Sequence, residues 1–197
     1  MLDLSPATGR LTQLVADIDD DQLDAPTPCH GNTVADLLDH LDGLCAAFTS
    51  AAAKDGTAGG QAPSADGSRL GPDWRARISG RLGQLASAWQ DETAWTGMTT
   101  AGGVDLPGEV AGRVAINEIV VHGWDIATAT GHDYAGETEL IQAAFGFVES
   151  AVAQSPDGNP GLFGAPVAVP DSAPLLDRLI GLTGRDPGWR PAAAGTN

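Results

Sequence analysis

The chain has 197 residues, 42% hydrophobic and 18% charged, a composition that excludes a disordered or fibrous polymer and provides length for a buried core in one domain over 1–197. Ten Lys+Arg against 26 Asp+Glu give a net charge of −16, with Lys54 the sole lysine and the arginines scattered. No cation cluster exists to displace phosphate counterions or to bind an anionic bilayer, so nucleic acid and membrane surfaces are excluded as partners.

No apolar run approaches the roughly 20 residues that span a bilayer, and MLDLSPATGR lacks the basic and apolar regions of a secretory leader. The expectation is a cytoplasmic protein with Cys29 and Cys45 as reduced, structural thiols.

Apolar Leu4, Leu11, Leu14, Val15 and Ile18 recur at helical spacing and predict a first helix over about 4–23, with Ser5-Pro6 as cap and first turn. Pro26 and Pro28 then force extended chain. Thr33 and Asp36 form a capping-box pattern before Val34, Leu37, Leu38, Leu41, Leu44, Cys45 and Phe48, which predicts a second helix to about Lys54. Residues 55–69 are rich in Gly, Ala and Ser without periodicity. His40 precedes Lys54 by about 14 residues, or roughly 21 Å of helix, so this connection is expected to be a mobile surface loop at the far end from any site near the second helix's start.

Pro72 opens a third helix over about 72–91, apolar at Trp74, Ile78, Leu82, Leu85 and Trp89. A short hairpin is expected around Gly102-Gly103. Pro107 opens a fourth helix to about Thr130, closed by Gly131. A fifth helix over about 137–153, an extended stretch 165–170 and a last helix over 172–184 complete the pattern.

The fourth helix carries the chemistry. Val114, Ile116, Ile119, Val120, Val121, Trp124 and Ile126 spread around most of its circumference, the pattern of a buried helix. Glu118, His122 and Asp125 nevertheless share one face, where ionisable groups are costly unless paired or bound to metal. Glu118 and His122, at i and i+4, converge on one point, either as a solvated hydrogen-bonded pair or as two ligands of a divalent ion. His40, at the edge of the second helix's apolar face, is either an ordinary core-edge histidine or the third ligand. Two histidines and one carboxylate would leave open coordination positions, as in catalytic zinc sites. Asp125 could accept a hydrogen bond from an imidazole N–H, cap or form a salt bridge. Cys29 is either structural, a further ligand or a reactive thiol. Trp74, Trp89, Trp95 and Trp124 suit bundle packing.

ProThrProCys (26–29), ThrValAlaAspLeuLeuAspHisLeu (33–41) and AsnGluIleValValHisGlyTrpAsp (117–125) with AlaThrGly (129–131) resemble the metal-binding domain of the mycothiol-dependent maleylpyruvate isomerase family, within the DinB-like superfamily. ValProAspSerAlaProLeuLeuAspArgLeu (169–179) and GlyArgAspProGlyTrp (184–189) are similar to the tail of an uncharacterised actinobacterial branch. The resemblance implies an all-α, DinB-like four-helix bundle with core about 4–130. Residues 131–197 would add an extra helix, short extended segments and a tail outside it.

It also implies a divalent metal, zinc first and nickel or another ion as alternatives, held by His40, Glu118 and His122. Where relatives usually carry an aromatic residue this chain has Asn32, expected at the pocket, and His30 beside it is either a surface residue or an extra polar group at the pocket mouth. The pocket is expected to be bordered by 27–33, 93–106 and the segment after Gly161. The implied function is a thiol-dependent S-transferase or isomerase, with mycothiol as cosubstrate and a small-molecule electrophile, in a monomer or homodimer. A metal-dependent hydrolase and a non-catalytic metal- and ligand-binding protein are the alternatives. Arg69, Arg75, Arg113 and Arg178 are the cations expected to matter for an anionic ligand.

Overall fold

The computed structural model describes residues 1–55, 62–159 and 162–191. Helices α1 (Ser5–Asp17), α2 (Val34–Ala53), α3 (Trp74–Ala88) and α4 (Gly108–Ala129) form the expected bundle, and a hairpin of β1 (Met98–Ala101) and β2 (Val104–Pro107) is inserted before α4. Helices α5 (Thr138–Gln154) and α6 (Leu175–Leu182) follow. Both α1 and α2 pack against α3 and against α4, so α1 faces α2 across the bundle. α5 lies on the outer side of α4, and α6 on α5. α4 is thereby enclosed on several sides, which accounts for its nearly continuous apolar circumference. No helix among the described residues is long and apolar enough to cross a membrane.

Boundaries follow local hydrogen bonding. The Asp3 carboxylate accepts the Ser5 N–H at 2.9 Å, so the first helix is capped upstream of the expected Ser5. That helix stops at Asp17, short of the expected Leu23, because Asp19 and Gln22 form a reciprocal capping box around a separate turn at Asp20–Gln22. Thr33 and Asp36 make the expected capping box of α2. α4 ends with Gly131 at φ +76°, and the His132 N–H donates to the Ala127 carbonyl at 2.8 Å. The hairpin pairs Met98 with Pro107 and Ala101 with Val104 across Gly102-Gly103, both at positive φ, as a tight two-residue turn requires. The expected extended stretch 165–170 has no strand partner among the described residues; the Val167 N–H donates to the Gly181 carbonyl.

The connection after α2 departs from expectation. Residues 56–61 lie outside the described residues, but 62–69 run back along α2 and do not stay at its far end. The Asp39 carboxylate accepts the Asp66 N–H at 3.1 Å, Asp36 accepts the Gly67 N–H at 2.7 Å, and Arg69 pairs with Asp39 at 2.5 Å. Counting residues along α2 measured only where the connection begins. Two half-buried carboxylates of α2, Asp36 and Asp39, determine where it goes.

Tryptophans lock the end of the bundle beneath the hairpin. The Trp89 indole N–H donates to the Phe48 carbonyl at 3.1 Å and that of Trp95 to the Trp89 carbonyl at 2.9 Å, with the two rings edge-to-face at 5.0 Å. A Cβ at Gly112 would stand 2.5 Å from the Trp95 ring and 2.8 Å from that of Trp89, whereas Gly83 has open space. Gly83→Ala should therefore stabilise by about 0.5–1 kcal/mol through helix propensity. Gly112→Ala should instead destabilise by about 1–3 kcal/mol, because hydrogen-bonded indoles cannot yield. Urea unfolding of the two variants checks the opposite signs.

Candidate metal centre

The helical repeat places Glu118 and His122 one above the other on α4, and α2 brings His40 to the same point. The His122 Nε2 lies 3.1 Å from Glu118 Oε2, and His40 Nε2 lies 3.9 Å from the same oxygen. The two imidazoles meet edge-to-face with centroids 5.1 Å apart. Ligand atoms of the three residues all fall within 4.8 Å of one another. Ligands in tetrahedral zinc sites, at about 2.0–2.1 Å from the ion, stand about 3.3 Å apart, so this cluster needs only a small adjustment to hold such an ion.

Both rings are oriented from behind. The His40 Nδ1–H donates to the Pro63 carbonyl at 2.8 Å, and the His122 Nδ1–H to Asp125 Oδ2 at 3.0 Å. Each hydrogen bond fixes the tautomer that leaves Nε2 to the cluster. Asp125 has 0% exposure and is held in turn by Arg185, whose Nε and Nη2 donate to its two oxygens, both at 2.8 Å. A continuous chain of contacts thus runs from the tail through α4 to the cluster.

Burial sets these charges against their environment, and the neighbours decide. Burial alone would raise the Asp125 carboxyl, but Arg185 and His122 hold it below the ordinary carboxylate range. Glu118 is likewise pushed up by burial and brought below its ordinary value by His122, His40 and Arg185. Burial disfavours the charged His122, yet hydrogen bonds to Asp125 and Glu118 lift it to about 9. Burial and the charge of His122 lower His40. The metal-free cluster is therefore an ionised carboxylate beside one charged and one neutral imidazole.

The cluster lies on the wall of a cavity of about 890 Å³, bordered by 28–32 (including Cys29, His30 and Asn32), by the hairpin with α4, and by 162–164 with 183–185. These are the borders expected from the sequence; Ala62, Pro63 and Ala65 of the returning connection are an additional wall. Asn32 donates from Nδ2 to the Cys29 sulfur at 3.4 Å. Cys29 Sγ groups with His122 and Asp125 and not with His40 and Glu118, and burial pushes its thiol up. His30 is exposed at the rim.

Sequence reasoning missed two participants. Arg185 lies 60 positions beyond its partner Asp125, and only the need of a fully buried carboxylate for a cation could have pointed to it. Pro63 contributes a backbone carbonyl, which leaves no mark in a sequence. The arginines singled out instead are engaged elsewhere: Arg69 with Asp39, Arg75 with Asp20, Arg113 with Glu109, and Arg178 over the Phe145 ring.

The pattern of the mycothiol maleylpyruvate isomerase N-terminal domain matches residues 4–127, which span α1 to α4 with both metal-candidate helices. The chain belongs to this family. Two uncharacterized proteins from strains of Mycobacterium tuberculosis are each 28% identical over 176 residues, covering 87% of this chain and 90% of their own length. The crystal structure of the mycothiol-dependent maleylpyruvate isomerase, and that of a mutant of it, match with a TM-score of 0.55 at 17% identity, over 74% of this chain. The chain covers 65% of that enzyme, and the likeness is one of fold.

Arg185→Met should cost about 3–5 kcal/mol by leaving the Asp125 charge buried without its bidentate partner. Arg185→Lys should recover only part of that, since an ammonium cannot reproduce the fork. Urea midpoints of the three proteins measure this; an unchanged midpoint for Arg185→Met would show that the pair does not hold the tail.

Proposed function

We propose that the chain is a thiol-dependent S-transferase or isomerase acting on a small electrophile, with a divalent metal, zinc foremost, at His40, Glu118 and His122. The observation that carries this reading is the orientation of the two imidazoles. Each has Nδ1 engaged by an acceptor outside the cluster, so that both Nε2 atoms face one ionised carboxylate. That is the arrangement by which proteins orient histidine ligands. A bound zinc ion would supply a Lewis acid that lowers the pKa of a coordinated thiol and favours the thiolate.

The chain's own residues would do the rest. Pro63 and Asp125 hold the imidazoles in register, Arg185 keeps Asp125 ionised, and the cavity seats thiol and electrophile away from bulk water. Family membership supports mycothiol as the thiol. In an isomerisation the thiolate adds to an electron-poor double bond, the resulting single bond rotates, and the same thiolate leaves, with no net change in atoms. In a transfer, the carbon–sulfur bond persists and the adjacent carbon takes a proton. Cys29 and Cys45 are unpaired with each other, as a reducing cytoplasm would keep them.

Hydrolysis is the weaker reading. Among the described residues Glu118 is the only carboxylate lining the cavity, and as a ligand it would not be free to serve as general base.

Metal-free protein titrated with zinc should bind one equivalent, and His122→Ala should lose it. The same titration at pH 7.5 in buffers of different ionisation enthalpy should register release of about one proton, because the metal must displace the proton that His122 holds up to about pH 9. Zinc-loaded protein should accelerate loss of a thiol-reactive alkene with mycothiol and not without it. Stoichiometric zinc retained by His122→Ala would overturn the ligand set. Equal rates with and without mycothiol would overturn the thiol reading.

A further inference from the structure

The cavity that holds the candidate metal cluster is wide, apolar and nearly devoid of free positive charge. Its volume of about 890 Å³ suits a small organic molecule together with a thiol. The apolar part of the wall is built by Phe48 of α2, Val110 and Val114 of α4, Phe147 of α5, and Leu162 and Phe163 of the tail. Val110 and Leu162 are 37% and 46% exposed, and Val104 of the hairpin, on the same cavity, is 62% exposed. Among the described residues, half of the six conspicuously exposed large apolar side chains therefore gather at one mouth, the distribution expected of a binding site.

The cations are elsewhere. Of the ten Lys and Arg residues, only Arg185 lines the cavity among the described residues, and those outside the description contain no Lys or Arg. Arg185 is buried, gives Nε and Nη2 to Asp125, and places Nη1 3.4 Å from the Thr183 carbonyl. A carboxylate entering here would lose its hydration and find no unengaged Lys or Arg side chain. The charge of a divalent ion in the cluster would be offset by Glu118 and by the thiolate, leaving none for a second anion.

We infer that the substrate is an uncharged, predominantly apolar electrophile and not a dicarboxylate, its apolar body lying against the Phe48, Phe147 and Phe163 wall. This rests on the thiol-dependent reading for the reaction but not for binding. It also separates this chain from the enzyme whose fold it shares, since maleylpyruvate is named for its acid groups and this cavity has no unengaged Lys or Arg side chain among the described residues to receive them.

The test compares matched probes. Binding of diethyl succinate and of succinate, which are unreactive, is measured by ligand-observed NMR on metal-free protein without thiol and on zinc-loaded protein with mycothiol present. Loss of diethyl maleate and of maleate with mycothiol is then followed on zinc-loaded protein, counting both conjugate and fumarate isomer as product. The diesters should bind at least about tenfold more tightly than the dianions and should show the higher kcat/KM. Val110→Arg, which places a cation on the exposed part of the wall, should narrow this preference by strengthening dianion binding; Val104→Arg is the second variant should the first not fold.

Succinate binding as tightly as its diester, or neither binding, would overturn the inference, as would a preference unmoved by either added cation. Diester binding without mycothiol-dependent turnover would defeat the thiol reading alone and leave the inference standing. Turnover favouring maleate would do the reverse.

Discussion

A fully buried carboxylate governs this structure. Asp125 sits on the most enclosed helix of the fold with no solvent exposure, where an unpaired charge would cost several kcal/mol. Its pairing has consequences on both sides. Arg185 must be brought in from the tail, which anchors the chain after α6 against α4. His122 is held on Oδ2, the oxygen that also accepts from Arg185 Nη2, which turns its Nε2 toward Glu118. One electrostatic requirement therefore couples the C-terminal segment, the packing of α4 and the geometry of the candidate metal ligands.

The second histidine is governed the same way from the opposite direction. His40 takes its orientation from the Pro63 carbonyl, in a connection drawn back onto α2 by Asp36 and Asp39. A Cβ at Gly43 would stand 2.7 Å from Pro63, so the close approach of this segment to α2 requires glycine there. The bundle supplies the candidate ligand positions, while two segments outside its helices help orient them, Pro63 directly and Arg185 through Asp125. Such a site is sensitive to changes in the connection and the tail that touch no ligand directly, because an imidazole rotated away from the cluster loses its lone-pair direction although its Cα has not moved.

The division of labour also bears on the family. Residues 4–127, which the family pattern matches, contain the bundle, the ligand positions and the hairpin. Part of the cavity wall and the cation behind Asp125 come from residues beyond it: Phe147, Leu162, Phe163 and Arg185. A function follows from the site and not from the fold alone.

Much of this was legible in one dimension. Periodic apolar residues determined the existence of α1 to α5, since a helix without a continuous apolar stripe cannot be buried in a bundle. The Thr33–Asp36 pattern determined where α2 begins, and the Glu118–His122 spacing placed two polar groups on one face of a helix otherwise apolar all round. These are local rules, complete within a turn or two of helix. The return of 62–69 over His40, the pairing of Asp125 with Arg185 and the enclosure of an apolar cavity by the tail depend on contacts across 23 to 60 positions. No periodicity encodes such contacts. They exist because a buried charge and an exposed helix face each had to find a partner, and only the tertiary arrangement decided which one was within reach.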